Sequence, residues 1–230
     1  MIYTVELNFS DASNIDEWNA WYETYLKQLV LLDGLETAQR FRAVAGSEPT
    51  WEYLALYTIP NLDVYESEAY RKIGGGGNAS KAFHHAISRR RNVYNGAERM
   101  AAVSDEARVL FWEGAPDDFG LPDCLPVALT AGAGNQQVGA TKIDGTPELR
   151  AIAVVDAATV ERYDFTTAER LAVYAPITQR YGSRRYAGPC QTGPSGLIRM
   201  PGRSHRQGRS AVSLRMRRSE TSNVRESALG

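Results

Sequence analysis

The sequence predicts an α+β fold: two consecutive βαββαβ units, each a four-stranded antiparallel sheet with its helices on one face, then a disordered basic tail. Three observations carry this. Short strands of period two alternate with amphipathic helices over residues 1 to about 100, the same order returns about 100 residues later, and the composition changes after residue 192. At 230 residues, 43% hydrophobic and 23% charged, the chain has material for one large core or two small ones. The expected units are residues 1–104, residues 105–192 and the tail, 193–230.

In residues 2–9, Tyr3, Val5, Leu7 and Phe9 alternate with Thr4, Glu6 and Asn8, the pattern of a half-buried strand. A helix follows, capped by Ser13 or Asn14, with Asp16 and Glu17 in its first turn and Gly34 past its end. Trp18, Trp21, Tyr22 and Tyr25 recur along it at helical spacing and read as a core stripe. Residues 37–44 and 53–60 form a hairpin around GSEPT. Helical stretches over 62–72 and 79–91 precede a fourth strand at 92–99. In the second unit the expected elements are a strand at 107–115, a helix at 119–131, paired strands at 139–143 and 147–155, a helical region at 158–180 and a strand at 182–188. TAQRF (37–41) and PTWEYLALY (49–57) have counterparts in GATKI (139–143) and PELRAIAVV (147–155), by pattern more than by identity.

The net charge of −1 divides unevenly, because residues 193–230 carry eight Arg against two Glu, leaving −7 on residues 1–192. Without Lys or aromatic residues, the tail cannot bury enough surface to offset its ordering entropy. It also lacks aromatics interleaved for base stacking, so nucleic acid is not the expected partner. No run approaches the roughly 18 apolar residues of a membrane span, and the N-terminus has no signal-peptide pattern, so a cytoplasmic protein is expected. Two cysteines, Cys124 and Cys190, exclude a disulfide framework or a four-thiolate metal site within one chain.

A sheet with helices on one face needs a cover for the other, and two such units can cover each other. In the first unit Val5, Leu7, Phe9, Phe41, Leu54 and Leu56 are expected to face the helices. Glu6, Asn8, Arg40, Arg42, Tyr53 and Tyr57 would face the other way, into a pocket between the sheets. Glu6 would be a proton shuttle, its pKa raised by desolvation. Arg40 and Arg42 would hold a carboxylate or an enolate-like charge, Tyr53 or Tyr57 would hydrogen-bond a substrate oxygen, and Asn8 would join the binding set. The plainer alternative is a structural ion pair of Glu6 with Arg40 or Arg42.

The strand, the Trp/Tyr-rich helix ending in LLDGL, then AQRF, YLALYTIP and LDVYESEAY resemble the dimeric α+β barrel superfamily, especially its EthD-like members. The resemblance covers residues 1 to about 100 well, and 107–190 as a degenerate second copy. It implies two ferredoxin-like units forming a barrel within one chain, with small organic molecules handled in its cavity. Superfamily members include cofactor-free isomerases, cyclases and monooxygenases, haem-binding enzymes and proteins with no established activity.

Other motifs add less. Adjacent His84 and His85 point about 100° apart on a helix and do not form a metal pair, although either is a candidate acid or base near neutral pH. GGGGNASK (74–81) fails the Walker spacing and reads as a hinge. Arg89, Arg90 and Arg91 read as a solvated helix end. No GxSxG nucleophile occurs. The expected function is a cofactor-independent enzyme transferring protons on a small oxygenated aromatic or lactone-like substrate, of isomerase, lyase or cyclase type. The alternatives are a non-catalytic small-ligand or stress-response protein and a haem-binding or monooxygenase-type barrel. Whether two copies form a homodimer stays open.

Overall fold

In a computed structural model, the described residues are 1–46, 51–114, 124, 126–163 and 170–183. Strand β1 (Ile2–Phe9), helix α1 (Ile15–Leu29), β2 (Thr37–Gly46) and β3 (Tyr53–Thr58) come first. A 3-10 turn (Asp63–Glu66), the short α2 (Glu68–Lys72) and a 3-10 stretch (Gly75–Phe83) then lead into β4 (Ile87–Asn95). Next come β5 (Ala107–Glu113), β6 (Val127–Ala131), β7 (Gln136–Val138), β8 (Thr141–Ile143) and β9 (Leu149–Asp156). Helix α3 (Ala157–Arg162), β10 (Leu171–Pro176) and β11 (Tyr181–Gly182) complete the described chain.

In space the strands run β10-β5-β9-β6-β4-β1-β3-β2, and β2 pairs back with β10. All these pairings are antiparallel, so eight strands close into a barrel. Closure leaves those eight strands without a free edge. β11 continues along the edge of β2 that β10 occupies, and β7 and β8 form a separate hairpin. The fold is thus α+β with few helices, and no described helix is long and apolar enough to cross a membrane. The order β4-β1-β3-β2 is matched by β10-β5-β9-β6, so the strands of each half lie fourth, first, third, second.

The period-two pattern of β1 separates two cores. Tyr3, Val5, Leu7 and Phe9 point outward and pack under α1 with Trp18, Tyr22, Leu26 and Leu29. Ile2 points inward and joins Phe41, Leu54, Leu56, Phe111, Ile152 and Tyr174 in the barrel interior. A third cluster, with Leu110, Tyr163 and Val173, covers the outer face of the second half. Helix α1 has Asp16 and Glu17 in its first turn and Lys27 in its last, matching its macrodipole. Trp18 is fully buried and stacks on Phe9 at 4.4 Å between ring centroids.

Several predicted elements differ. The helix expected over 79–91 gives way to β4 at Ile87, and the strand expected at 92–99 therefore starts earlier and ends at Asn95. In place of a helix over 119–131 there is strand β6, whose Val127 and Leu129 enter the barrel interior; residues 115–123 and 125 lie outside the described set. The expected strand at 139–143 is only β8, paired with β7 and not with β9. The helical region over 158–180 ends at Arg162, and Leu171–Pro176 is the strand that closes the barrel. Of the strand at 182–188 only Gly182 belongs to a strand, while residues 184–188 and the whole tail lie outside the described residues.

The GGGG segment is a packed corner rather than a break in a helix. Gly76 and Gly77 adopt φ of +74° and +112°, where side chains are strained. A Cβ on Gly76 would clash with the Ala140 carbonyl oxygen, and one on Gly77 would meet Arg89 Nη2 at 2.6 Å.

Candidate functional site

The register of β1, β2, β3 and β4 decides which side chains share a face. Glu6 pairs with Leu54 and Arg90, whereas Val5 pairs with Ala55 and Arg91, and Arg40 also pairs with Ala55. Directly opposite residues share a face. Arg40, Arg42, Tyr53 and Tyr57 therefore stand with Val5 on the helix side, not with Glu6. The expectation that all of them face one cavity between two sheets is corrected by this one-residue difference in register.

A pocket opens on the helix side instead, between the outer face of the β1–β3–β4 sheet, helix α1 and the glycine corner. Tyr3, Trp21, Tyr22, Tyr25, Tyr57, Tyr65 and Tyr70 supply its aromatic wall, with Val5, Leu7 and Ile87 at its floor and Arg89 and Arg91 as its charges. The cavity offers about 50 Å³ to the centres of water-sized molecules. At roughly 10–15 Å³ per water, that suits a few waters, and a ring-sized ligand would also occupy the open side of the pocket.

The two guanidiniums are held by neutral groups. Arg89 Nη1 donates to Ser80 Oγ at 3.4 Å, and Arg91 Nη2 donates to the Gly76 carbonyl at 3.2 Å. Among the described residues no carboxylate pairs with either. Burial, with Arg91 as a second cation nearby, lowers the pKa of Arg89. Burial also opposes the charge on Arg91, but attraction to the oxygens of the surrounding tyrosines offsets it and the net direction is upward. Burial raises the pKa of Tyr3, Tyr25, Tyr57 and Tyr65, so these phenols stay protonated near neutral pH. Tyr22 and Tyr57 share a hydroxyl contact of 3.3 Å, while Tyr70 is tied to Thr141 Oγ1 at 2.9 Å and to the Gly76 amide at 2.9 Å.

The barrel interior holds a different charge group. Arg90 grips Glu6 through Nε at 2.7 Å and Nη2 at 3.0 Å, and reaches Glu113 at 2.7 Å. Arg150 Nη2 contacts both Glu6 oxygens at 2.8 and 2.9 Å and Glu113 at 3.2 Å. Glu6 is 2% exposed and Arg150 3%. An ion pair at Glu6 does form, but with Arg90 and Arg150 rather than with Arg40 or Arg42. Both Glu6 oxygens are occupied, which leaves it a structural anion between two cations and away from the aromatic pocket.

Of the candidate residues, Tyr57 reaches the pocket wall. Arg40 is buried beside it, its guanidinium stacked on Trp18, Tyr22 and Tyr53 at 4.1, 4.4 and 4.7 Å, with Nη1 donating to Asn19 at 2.7 Å. Burial lowers its pKa. Tyr53 belongs to that stack. Arg42 is exposed and pairs with Glu52, and Asn8 Oδ1 accepts from the Glu52 amide at 2.7 Å. His84 and His85 are exposed outside the pocket, contacting the Gly77 carbonyl at 2.7 Å and Asp11 at 3.3 Å. Arg89 and Arg91, read from sequence as a solvated helix end, are the charges of the site. The stripe on α1 also divides, with Trp18 in the core while Trp21, Tyr22 and Tyr25 line the pocket. The signal available in sequence was ISRRRNVYN itself, a run with β-branched and aromatic residues that can alternate as a strand.

No family model matches the chain, and no curated protein matches it. Among solved structures, it is similar to a candidate monooxygenase from Fusobacterium nucleatum subsp. nucleatum, at 10% identity, with 79% of this chain and 95% of that one covered and a TM-score of 0.45. It is also similar to an anthrone oxidase-like protein, at 8% identity, with 82% and 95% covered and a TM-score of 0.44. Neither likeness carries an inference about chemistry at these values.

Proposed function

We propose that the protein binds a small, flat, oxygenated molecule of about one aromatic ring through an anionic oxygen, and that it promotes loss of a proton from that molecule to solvent. The observation that carries this is Arg89 and Arg91 side by side in an aromatic pocket without a carboxylate partner among the described residues. A bound carboxylate, phenolate or enolate would supply the missing negative charge through charge-assisted hydrogen bonds. The phenol rings would cover its faces. Favouring the anion over its conjugate acid lowers the pKa of the bound molecule, which is the effect an isomerisation, elimination or cyclisation through an enolate needs.

One observation favours a second reading, ligand binding without turnover: neither a carboxylate nor an imidazole stands among the lining residues. A His-ligated haem does not fit the same wall, since His84 and His85 both lie outside it. We read the barrel as a tandem pair of ferredoxin-like units, EthD-like in the first half. Supporting this is the strand order shared by the two halves.

The test is a fluorescence titration of the full chain, with pocket-lining Trp21 as reporter, using benzoate and its neutral isostere benzamide. The reading expects benzoate to bind about tenfold more tightly or better, and Arg91→Met to erase the preference. His84→Ala is expected to leave it intact. Equal affinities for the two probes in the unmodified protein would overturn the reading.

A further inference from the structure

The pocket contains a hydroxyl that the oxyanion reading does not use. Tyr3 lies opposite Val93 on β4 while Val5 lies opposite Arg91, so Tyr3 and Arg91 are diagonal neighbours on one sheet face. The Tyr3 ring is fixed between Tyr57 at 5.3 Å and Tyr65 at 4.9 Å. The residue is only 5% exposed and lines the cavity. Tyr22, Tyr57 and Tyr70 have hydroxyl partners, but the Tyr3 hydroxyl hydrogen-bonds to none of the described residues. The Tyr65 hydroxyl also lacks a partner but is sealed from solvent, and the Tyr25 hydroxyl lacks one among the described residues on the half-buried wall contributed by α1, so Tyr3 is the unpartnered hydroxyl on the sheet face that carries Arg91.

A buried hydroxyl left without an acceptor costs free energy that a ligand can recover. Arg89 and Arg91 are donors only. They complement an anionic oxygen, whereas a protonated phenol can also give its hydrogen to a neutral oxygen. We infer that Tyr3 determines specificity in this pocket, donating to a carbonyl or ether oxygen that the ligand carries in addition to the anionic oxygen held by Arg89 and Arg91. The ligand class is then an aromatic oxyanion bearing a second, neutral oxygen acceptor. This rests on the oxyanion reading for the first oxygen, while the Tyr3 contact concerns the second.

The experiment compares benzoate, the three acetylbenzoate isomers and neutral acetophenone on the unmodified full chain and on Tyr3→Phe, by calorimetric titration. At least one acetyl isomer should bind the unmodified protein ~3- to 10-fold more tightly than benzoate, the usual worth of one hydrogen bond. Tyr3→Phe, which keeps the ring against the ligand, should lose that increment, so that acetylbenzoate affinity falls toward that of benzoate. Because the hydroxyl has no partner in the free protein, the variant should melt no lower than the unmodified chain, which a structural hydrogen bond would not allow. The inference is overturned if no acetyl isomer gains over benzoate, or if Tyr3→Phe weakens benzoate and acetylbenzoates alike. If benzoate fails to bind but acetophenone binds in a Tyr3-dependent way, the oxyanion reading falls and the Tyr3 assignment stands. If none of the probes binds, both fall.

Discussion

Arg89, Arg90 and Arg91 are consecutive on β4, so their side chains leave alternate faces. The outer two enter the aromatic pocket and the middle one enters the barrel, where it meets Glu6 and Glu113. A run of like charges suggests a solvated surface, and that is why these residues were illegible as a site: the sequence shows their charge but not the two walls between which the strand passes. Glu6 was legible as a buried carboxylate on the face opposite Val5 and Leu7. Its partners were not, because they come from residues 84 and 144 positions away in the chain. Removing one charge from a buried network leaves the others uncompensated, at a cost of about 3–5 kcal/mol. Glu6→Gln should therefore lower unfolding stability by about that amount in a denaturant titration, with partial recovery in Glu6→Gln/Arg150→Met. A loss below about 1 kcal/mol, the level of an exposed pair, would mean that the cluster is not buried as described.

Elements with a clear period or a bounded apolar run could be read directly. β1, α1, β3, β5 and β9 fall close to their expected positions, since α1 shows its buried stripe at a spacing of 3.6 while the strands are short apolar runs set between turn residues, β1 and β3 being buried on both faces. β4, β6 and β10 were misread for separate reasons. β4 has charged residues on both faces. VALTA is short enough for its alternation to pass as one face of a helix, and LAVYAP follows directly on TAER, whose Ala, Glu and Arg favour helix. In each case barrel closure overrides local preference. The phenols on β1, β3 and α1 give a prediction at this scale. Burial holds Tyr22 and Tyr57 above the ordinary phenol pKa of 10.0 in the folded state. The neutral phenol is thus favoured by folding, its contribution to stability is complete below pH 10.0, and that contribution is lost as pH rises beyond it. Unfolding free energy should fall above that pH, and phenolate absorbance should develop at higher pH in native than in denatured protein. Coincident titration curves would contradict the burial of these hydroxyls.

At the scale of the whole molecule, the α+β class and the change of composition at the tail are legible in the sequence patterning. It did not give the register that places one aromatic face outside the barrel and one ionic group within it. Register is a relation between segments far apart in the chain, and a slip of one residue exchanges the faces. Glu6 and Arg90 from the first half meet Glu113 and Arg150 from the second, while β2–β10 and β4–β6 close the ring. Together these put the aromatic pocket, the proposed binding site, on the helix side of the first-half sheet and give the barrel interior a structural role. The most direct test is the crystal structure of the full chain with 4-bromobenzoate, located by the anomalous signal of its bromine. The account predicts a bromine peak among Tyr3, Trp21 and Tyr65, with the carboxylate on Arg89 and Arg91. A ligand found instead inside the barrel, against Arg90 and Arg150, would contradict it.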